Sequence, residues 1–179
     1  MNYITTYTGK HFDPLNPDVS QVDIRDIAHA LSLTCRGNGH VKTFFSVGQH
    51  CINCAREAEL RGYPGRIILA CLIHDASEAY MSDVPRPFKK SLIEYQKTED
   101  IILNMIYGKF LDGPLSAEEK KIIKCIDNDM LYYDLKELLN EVSEGEPPQL
   151  AIRLNYEFVP FEQVEQTYLD LYEKWKIVT

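Results

Sequence analysis

The sequence predicts an all-α fold, a compact single domain of about six helices preceded by an irregular N-terminal segment. Three observations carry this. Apolar residues recur at three- and four-residue spacing through most of the chain beyond Asp23. Capping and breaking residues separate these periodic stretches. The apolar run Ile67 to Ile73 is followed by good helix formers, Ala76, Glu78 and Ala79, with no turn signal between them. At 179 residues, 45% apolar and 26% charged, the chain has the size and composition of one globular domain (1–179), and no repeat or linker divides it.

Residues 1–22 are turn-rich (Thr8-Gly9-Lys10, Asp13-Pro14, Asn16-Pro17-Asp18), with a short hairpin expected between Tyr3 and Phe12. The stripe Ile24, Ile27, Ala28, Leu31 and Cys35 predicts a first helix that stops before Gly37-Asn38-Gly39. Ser46 caps a second helix, which ends near Gly62 and turns Val47, Cys51, Cys54, Ala55 and Ala58 inward. Pro64 opens a third, running to about Met81. Its segment Ile67 to Ile73 is apolar all round and belongs at the centre, as a buried helix or, on the rival reading of short apolar runs, a buried strand. Asp83-Val84-Pro85-Arg86-Pro87 breaks that helix. A long helix from about Phe88 to Leu111 follows and stops at Gly113-Pro114. Ser116 and Glu119 make a capping box that opens a fifth helix, to about Val142. Gly145-Glu146-Pro147-Pro148 is a loop, and a final helix covers 161–177.

Lys plus Arg number 19 against 27 Asp plus Glu, a net charge of −8. That balance argues against a protein built to coat nucleic acid or an anionic membrane, because phosphate lattices are bound by clustered positive charge. A small anion held by a few cations or a metal is compatible with it. The longest apolar run, seven residues, is far short of the ~20 of a membrane span. Met1 to Tyr7 lacks the basic stretch and apolar run of a signal peptide. Five cysteines, an odd number set mostly among apolar residues, suit reduced thiols in a cytoplasm.

Three features carry chemistry. His74-Asp75 follows directly on seven apolar residues, where an unsatisfied polar group costs about 1–3 kcal/mol. A divalent metal would satisfy both side chains, and so would backbone groups at a helix end. His50 lies on the inward stripe between Val47 and Cys54, either as a core histidine or as a ligand. In the fifth helix, acidic residues intrude on the apolar side. Asp127 shares a face with Ile123, Met130, Leu131 and Asp134, and Asp129 with Ile122, Ile126 and Tyr133. Spacing alone leaves open which points inward.

The order His50, His74-Asp75, then a distant helical Asp resembles the H…HD…D pattern of the HD-domain metal-dependent phosphohydrolases. The segment Ser46-Val47-Gly48-Gln49-His50 is similar to the family's first-His segment. His74-Asp75-Ala76-Ser77-Glu78 followed by Asp83-Val84-Pro85 resembles the core motif of bacterial 5′-deoxynucleotidases, and Ile122 to Asp127 the segment of the last ligand. The resemblance spans roughly 24–140 and extends to small phage and bacterial HD proteins that include dATP triphosphohydrolases. It implies a divalent transition metal (Mn, Co, Fe, Ni or Zn) held by His50, His74, Asp75 and Asp127, with Asp127 selected over Asp129. Glu78 is then the residue that positions or deprotonates the attacking water, and Asp83 a second carboxylate at the substrate. Arg36 falls at the place of the family's phosphate-binding arginine, a planar donor fork suited to a phosphate oxygen pair. His40, in a Gly-rich loop, is either a phosphate contact or a solvated loop histidine, and Arg86, Lys89 and Lys90 could hold further phosphates of a triphosphate, the lysines otherwise reading as a solvated charge run. The deoxynucleotidases carry a tryptophan directly after the phosphate arginine, and here that position is Gly37.

The function implied is metal-dependent hydrolysis of (deoxy)nucleotide phosphate bonds, with 5′-nucleotidase action on (d)NMPs leading. The alternatives are a dNTP triphosphohydrolase of the phage dATPase type and a non-catalytic nucleotide-binding HD module. A two-metal HD oxygenase generally recruits more histidines than the two inward ones here. A homo-oligomer, dimer or higher, is expected by resemblance, with the Tyr168/Tyr172/Trp175 stripe of the last helix as one interface or as core. The lone Cys51-Ile52-Asn53-Cys54 pair falls on the apolar stripe without a second pair and reads as core packing, and His11 and His29 read as structural.

Overall fold

The computed structural model describes residues 2–142 and 145–177. Met1, the first residue of the expected turn-rich segment, lies outside the described residues, as do 143–144 and 178–179. Two short strands, β1 (Ile4–Thr5) and β2 (His11–Phe12), pair antiparallel with Ile4 opposite Phe12 and Thr5 opposite His11. The carboxylate of Asp26 accepts hydrogen bonds from the Thr8 N–H and hydroxyl at 2.6 and 2.9 Å, which fastens this hairpin to the first helix.

The chain is all-α beyond the hairpin. Among the described residues there are eight α-helices: α1 (Ile24–Leu33), α2 (Val47–Leu60), α3 (Gly65–Leu72), α4 (Glu78–Met81), α5 (Arg86–Lys89), α6 (Ile93–Phe110), α7 (Ala117–Leu139) and α8 (Phe161–Trp175). Their starts follow from local chemistry. Asp23 caps α1 by accepting from the Arg25 N–H, and reciprocal capping boxes, Ser46 with Gln49 and Ser116 with Glu119, open α2 and α7 as the sequence predicts. The apolar run resolves as helix rather than strand: α3 is buried on every side, with α2, α7 and α8 packed around it and α1 against α2 and α8. The segment 145–160 lies irregularly across this core. Buried Glu57 fastens it by accepting from the N–H groups of Ala151 and Ile152 at 2.8–3.0 Å. No helix is long and apolar enough to cross a membrane among the described residues.

Eight helices replace the predicted six because two of the predicted ones are broken. The helix expected from Pro64 to Met81 ends at Leu72, and tighter three-residue hydrogen bonds take over: Ala76 N–H to Ile73, Glu78 to Asp75 and Tyr80 to Ser77. The helix expected over Phe88 to Leu111 divides at Ser91 and Leu92, where the Ser91 hydroxyl bonds the Phe88 carbonyl and Gln96 takes the Lys89 carbonyl. The fifth helix stops at Leu139 because Asn140 turns left-handed (φ 56), and the last stops at Trp175, where Lys176 is extended. The tyrosine stripe of α8 contributes to the core, with Tyr172 and Trp175 half-buried against it. Tyr168 is fully buried with its hydroxyl donating to the Leu72 carbonyl at 2.8 Å, and Trp175 covers Gly65.

A Cβ at Gly48 would lie 3.1 Å from Val164 Cγ1 and 3.2 Å from the Leu31 carbonyl, so this glycine permits the close approach of α1, α2 and α8. Gly48→Val should therefore destabilise the protein by about 1–3 kcal/mol. Gly108→Ala, where a Cβ meets nothing within 4 Å, should stabilise it by about 0.5 kcal/mol. Urea midpoints of the two variants check both signs.

Candidate metal centre

The Ser46 capping box fixes where α2 begins, and so carries His50, its fourth residue, to a fully buried position facing α3 and α7. The tight turn after α3 swings His74 and Asp75 out of the helix line toward the same point. Both imidazoles are oriented from behind. His74 Nδ1 donates to the Cys71 carbonyl at 2.8 Å, and His50 Nδ1 donates to Asp134 Oδ2 at 2.9 Å. Carbonyls and carboxylates only accept, so Nδ1 carries the hydrogen in each ring and Nε2 is the face presented to the site.

The two Nε2 atoms converge on the carboxylates. Asp127 Oδ1 is 3.2 Å from His50 Nε2 and 3.7 Å from His74 Nε2, and Asp75 Oδ2 is 3.3 Å from His74 Nε2. With metal–nitrogen and metal–oxygen bonds of about 2.1 Å, the edge between two ligands of a tetrahedral ion is about 3.4 Å. The spacing therefore suits donors arranged around one cation. His74 Nε2 is buried without a hydrogen-bond partner, the kind of orphan that a cation satisfies. The buried side chains of His50, Cys54 and His74 also present ligand atoms within 4.8 Å of one another and could hold a metal ion. Asp129 faces elsewhere and pairs with Arg61 at 2.8 Å.

The electrostatics point the same way. Burial and the Arg36 guanidinium oppose an imidazolium at His50, yet Cys54, Asp127 and Asp134 outweigh them and hold its pKa well above the ordinary range. Burial likewise opposes charge on His74, and Asp75 first among its neighbours reverses that. For Asp127, burial favours the acid but the two histidines hold its carboxyl far below the usual carboxylate range. The carboxylates thus draw protons to the two imidazoles, and a divalent cation bound there would take the place of those protons. Glu78 behaves oppositely. Burial, then the charges of Asp75 and Asp83, push its carboxyl well above the usual range, and Oε2 has no hydrogen-bond partner. Its proton affinity is raised, as a group that accepts a proton requires.

Cations ring this centre. Arg36 lies 3.2 Å from Asp134 and 3.8 Å from Asp75. Arg86 and Lys124 meet the outer oxygen of Asp127 at 2.9 and 2.6 Å, and Lys89 approaches Glu78 at 3.8 Å. Asp83 is half-buried and close enough for its charge to act on both Glu78 and Arg36. It is delivered by Ser82, held at φ 71 with its carbonyl bonded to the Tyr95 hydroxyl. His40 is not brought to the cluster: it is exposed, and its backbone N–H closes the turn at Gly37. Gly37 is left-handed (φ 59) with Leu139 and Val41 each 3.7 Å from where a Cβ would sit. A tryptophan could not replace it without strain.

Three further side chains stand at this cluster beyond those the sequence singles out. Asp134, seven residues after Asp127, orients His50 and is itself held by the Tyr156 hydroxyl at 3.0 Å. Lys124 stands one helical turn before Asp127. Cys54 stands one turn after His50, with its sulfur 3.5 Å from His50 Nε2. All three spacings are helical neighbours of a ligand and were readable as such. A cavity of about 250 Å³ opens beside His74, Asp75 and Asp127, walled by Leu103, Tyr107 and Ile123 with Lys120 and Lys124 on its rim.

No protein-family model matches the chain. It is 39% identical over 128 residues to the uncharacterized protein YfdR of Escherichia coli (strain K12), covering 70% of this chain and 68% of that relative. The chain belongs to the YfdR family. An uncharacterized protein of Rhodobacter capsulatus is 32% identical over 127 residues, covering 67% of this chain and 64% of its own length.

In this YfdR-family protein Asp134 bonds His50 at Nδ1, the nitrogen away from the Nε2 face that could hold a metal. Asp134→Ala should weaken divalent-metal affinity by about 10–100-fold while the helical circular dichroism is kept. Titration with zinc against a competing chelator checks it.

Proposed function

We propose that this protein is an HD-domain metal-dependent phosphohydrolase acting on nucleotide phosphate bonds, with (deoxy)nucleoside 5′-monophosphates as leading substrates. The observation that carries the reading is the convergence of His50, His74, Asp75 and Asp127 beside a buried Glu78 whose proton affinity is raised. A divalent ion held by those four residues supplies Lewis acidity at the phosphoryl oxygens and acidifies water. The protein's own groups do the rest. Arg36 binds phosphate oxygens as a fork, exchanging its contacts with Asp75 and Asp134 for the incoming anion. Glu78 orients the attacking water and takes its proton, and Asp83 keeps that carboxyl basic enough to do so. The cavity beside the cluster accepts the nucleoside portion. The net charge of −8 is no obstacle, because the cations are gathered at this one place.

A triphosphate substrate is the second reading, and the pairing of Arg86 and Lys124 on the outer oxygen of Asp127 favours it. Both side chains could turn from Asp127 to additional phosphates.

Product analysis on NMPs, dNMPs and dNTPs with Mn, Co, Mg or Zn added separates the two. Nucleoside and orthophosphate from dNMPs are expected, whereas inorganic triphosphate from a dNTP would support the second reading. No hydrolysis anywhere, with metal bound, would replace both by a binding module. Glu78→Ala should keep the metal and lower the rate by about 10²–10⁴-fold. A rate near wild type would move water activation to another residue.

A further inference from the structure

We infer that Cys54 is a metal ligand, so that the centre is a mixed imidazole–carboxylate–thiolate site that selects a borderline or soft divalent ion over Mg or Mn. The inference rests on the metal-dependent reading above and deepens it by naming the class of metal.

Cys51 and Cys54 are both buried on α2, but they face different sides of the histidines. Cys51 Sγ lies 4.0 Å from His74 Nδ1, the nitrogen already committed to the Cys71 carbonyl, so it packs behind the ring. Cys54 Sγ lies 3.5 Å from His50 Nε2, on the side where Asp127 stands at 3.2 Å. A metal–sulfur bond of 2.3 Å and a metal–nitrogen bond of 2.0–2.1 Å give a tetrahedral sulfur–nitrogen edge of about 3.6 Å. The observed separation matches that edge, and His50 and Cys54, four residues apart on one helix, present both donors without distortion. The unpartnered, buried His74 Nε2 is an independent sign that a ligand completes the cluster. As the ion binds, a metal–sulfur bond forms and the thiol proton leaves to solvent. Thiolate beside imidazole shifts preference toward Zn, Co, Ni or Fe, whereas carboxylate and water alone suit Mg and Mn.

Cobalt(II) added to the intact protein tests this, because thiolate–cobalt charge transfer absorbs in the near ultraviolet and d–d bands report binding by any donors. The wild type is expected to show both. Cys54→Ala should lose the charge-transfer band and keep d–d absorption, with zinc affinity down by at least about tenfold, while Cys51→Ala keeps both bands. Cys54→Ser, which conserves volume, serves the same purpose if Cys54→Ala does not fold. d–d bands without charge transfer in the wild type, or a charge-transfer band that survives in the Cys54 variants, would overturn the thiolate assignment and leave the metal reading standing. Absence of any d–d absorption would overturn both.

Discussion

The structure depends on one constraint: two imidazoles and two carboxylates are gathered at the buried end of the most apolar helix. An unpaired charge in such a place is strongly destabilising, so every neighbour of the cluster offsets it. Asp134 and the Cys71 carbonyl take the Nδ1 hydrogens, Arg36 stands against Asp134 and Asp75, and Arg86 and Lys124 cover the outer oxygen of Asp127. The turn after α3 places His74 and Asp75 beside His50 and Asp127. Stability and function share residues here, since the contacts that make the cluster tolerable also orient it.

The remainder of the fold acts as support. The capping box at Ser46 sets the phase of α2, and Gly48 lets that helix approach α1 and α8 closely enough to bury His50. Tyr168 takes the free Leu72 carbonyl at the end of α3, which closes the helix just before the ligand pair. The irregular segment 145–160, fastened by Glu57, brings Tyr156 to Asp134. A surface segment thus reaches the ring of His50 through one carboxylate.

Much of this was legible in the residues. Caps at Ser46 and Ser116, the helical state of Ile67 to Leu72, and the inward direction of His50 followed from short-range chemistry and periodicity. The breaks after Leu72 and at Ser91–Leu92 did not, because Ala76, Glu78 and Ala79 are good helix formers and the side-chain bonds at Ser91 and Gln96 leave no periodic signal. The choice of Asp127 over Asp129 needed the family resemblance; in the fold Asp127 lies beside both histidines while Asp129 pairs with Arg61. Cys54 looked like core packing on its stripe, and it is buried, but periodicity cannot tell a sulfur that fills space from one that lies along a histidine's lone-pair side. His40 was placed by loop composition alone, and the fold leaves it at the surface.

The most direct test of the account is metal content by equilibrium dialysis, with zinc or cobalt, of the wild type and His74→Ala. Among the described residues, His74 contributes the one buried imidazole nitrogen without a hydrogen-bond partner. The account predicts tight binding of a divalent ion by the wild type and its loss in the variant, with the helical signal unchanged. A wild type that binds no ion, or a His74→Ala variant that binds as well as the wild type, would contradict it.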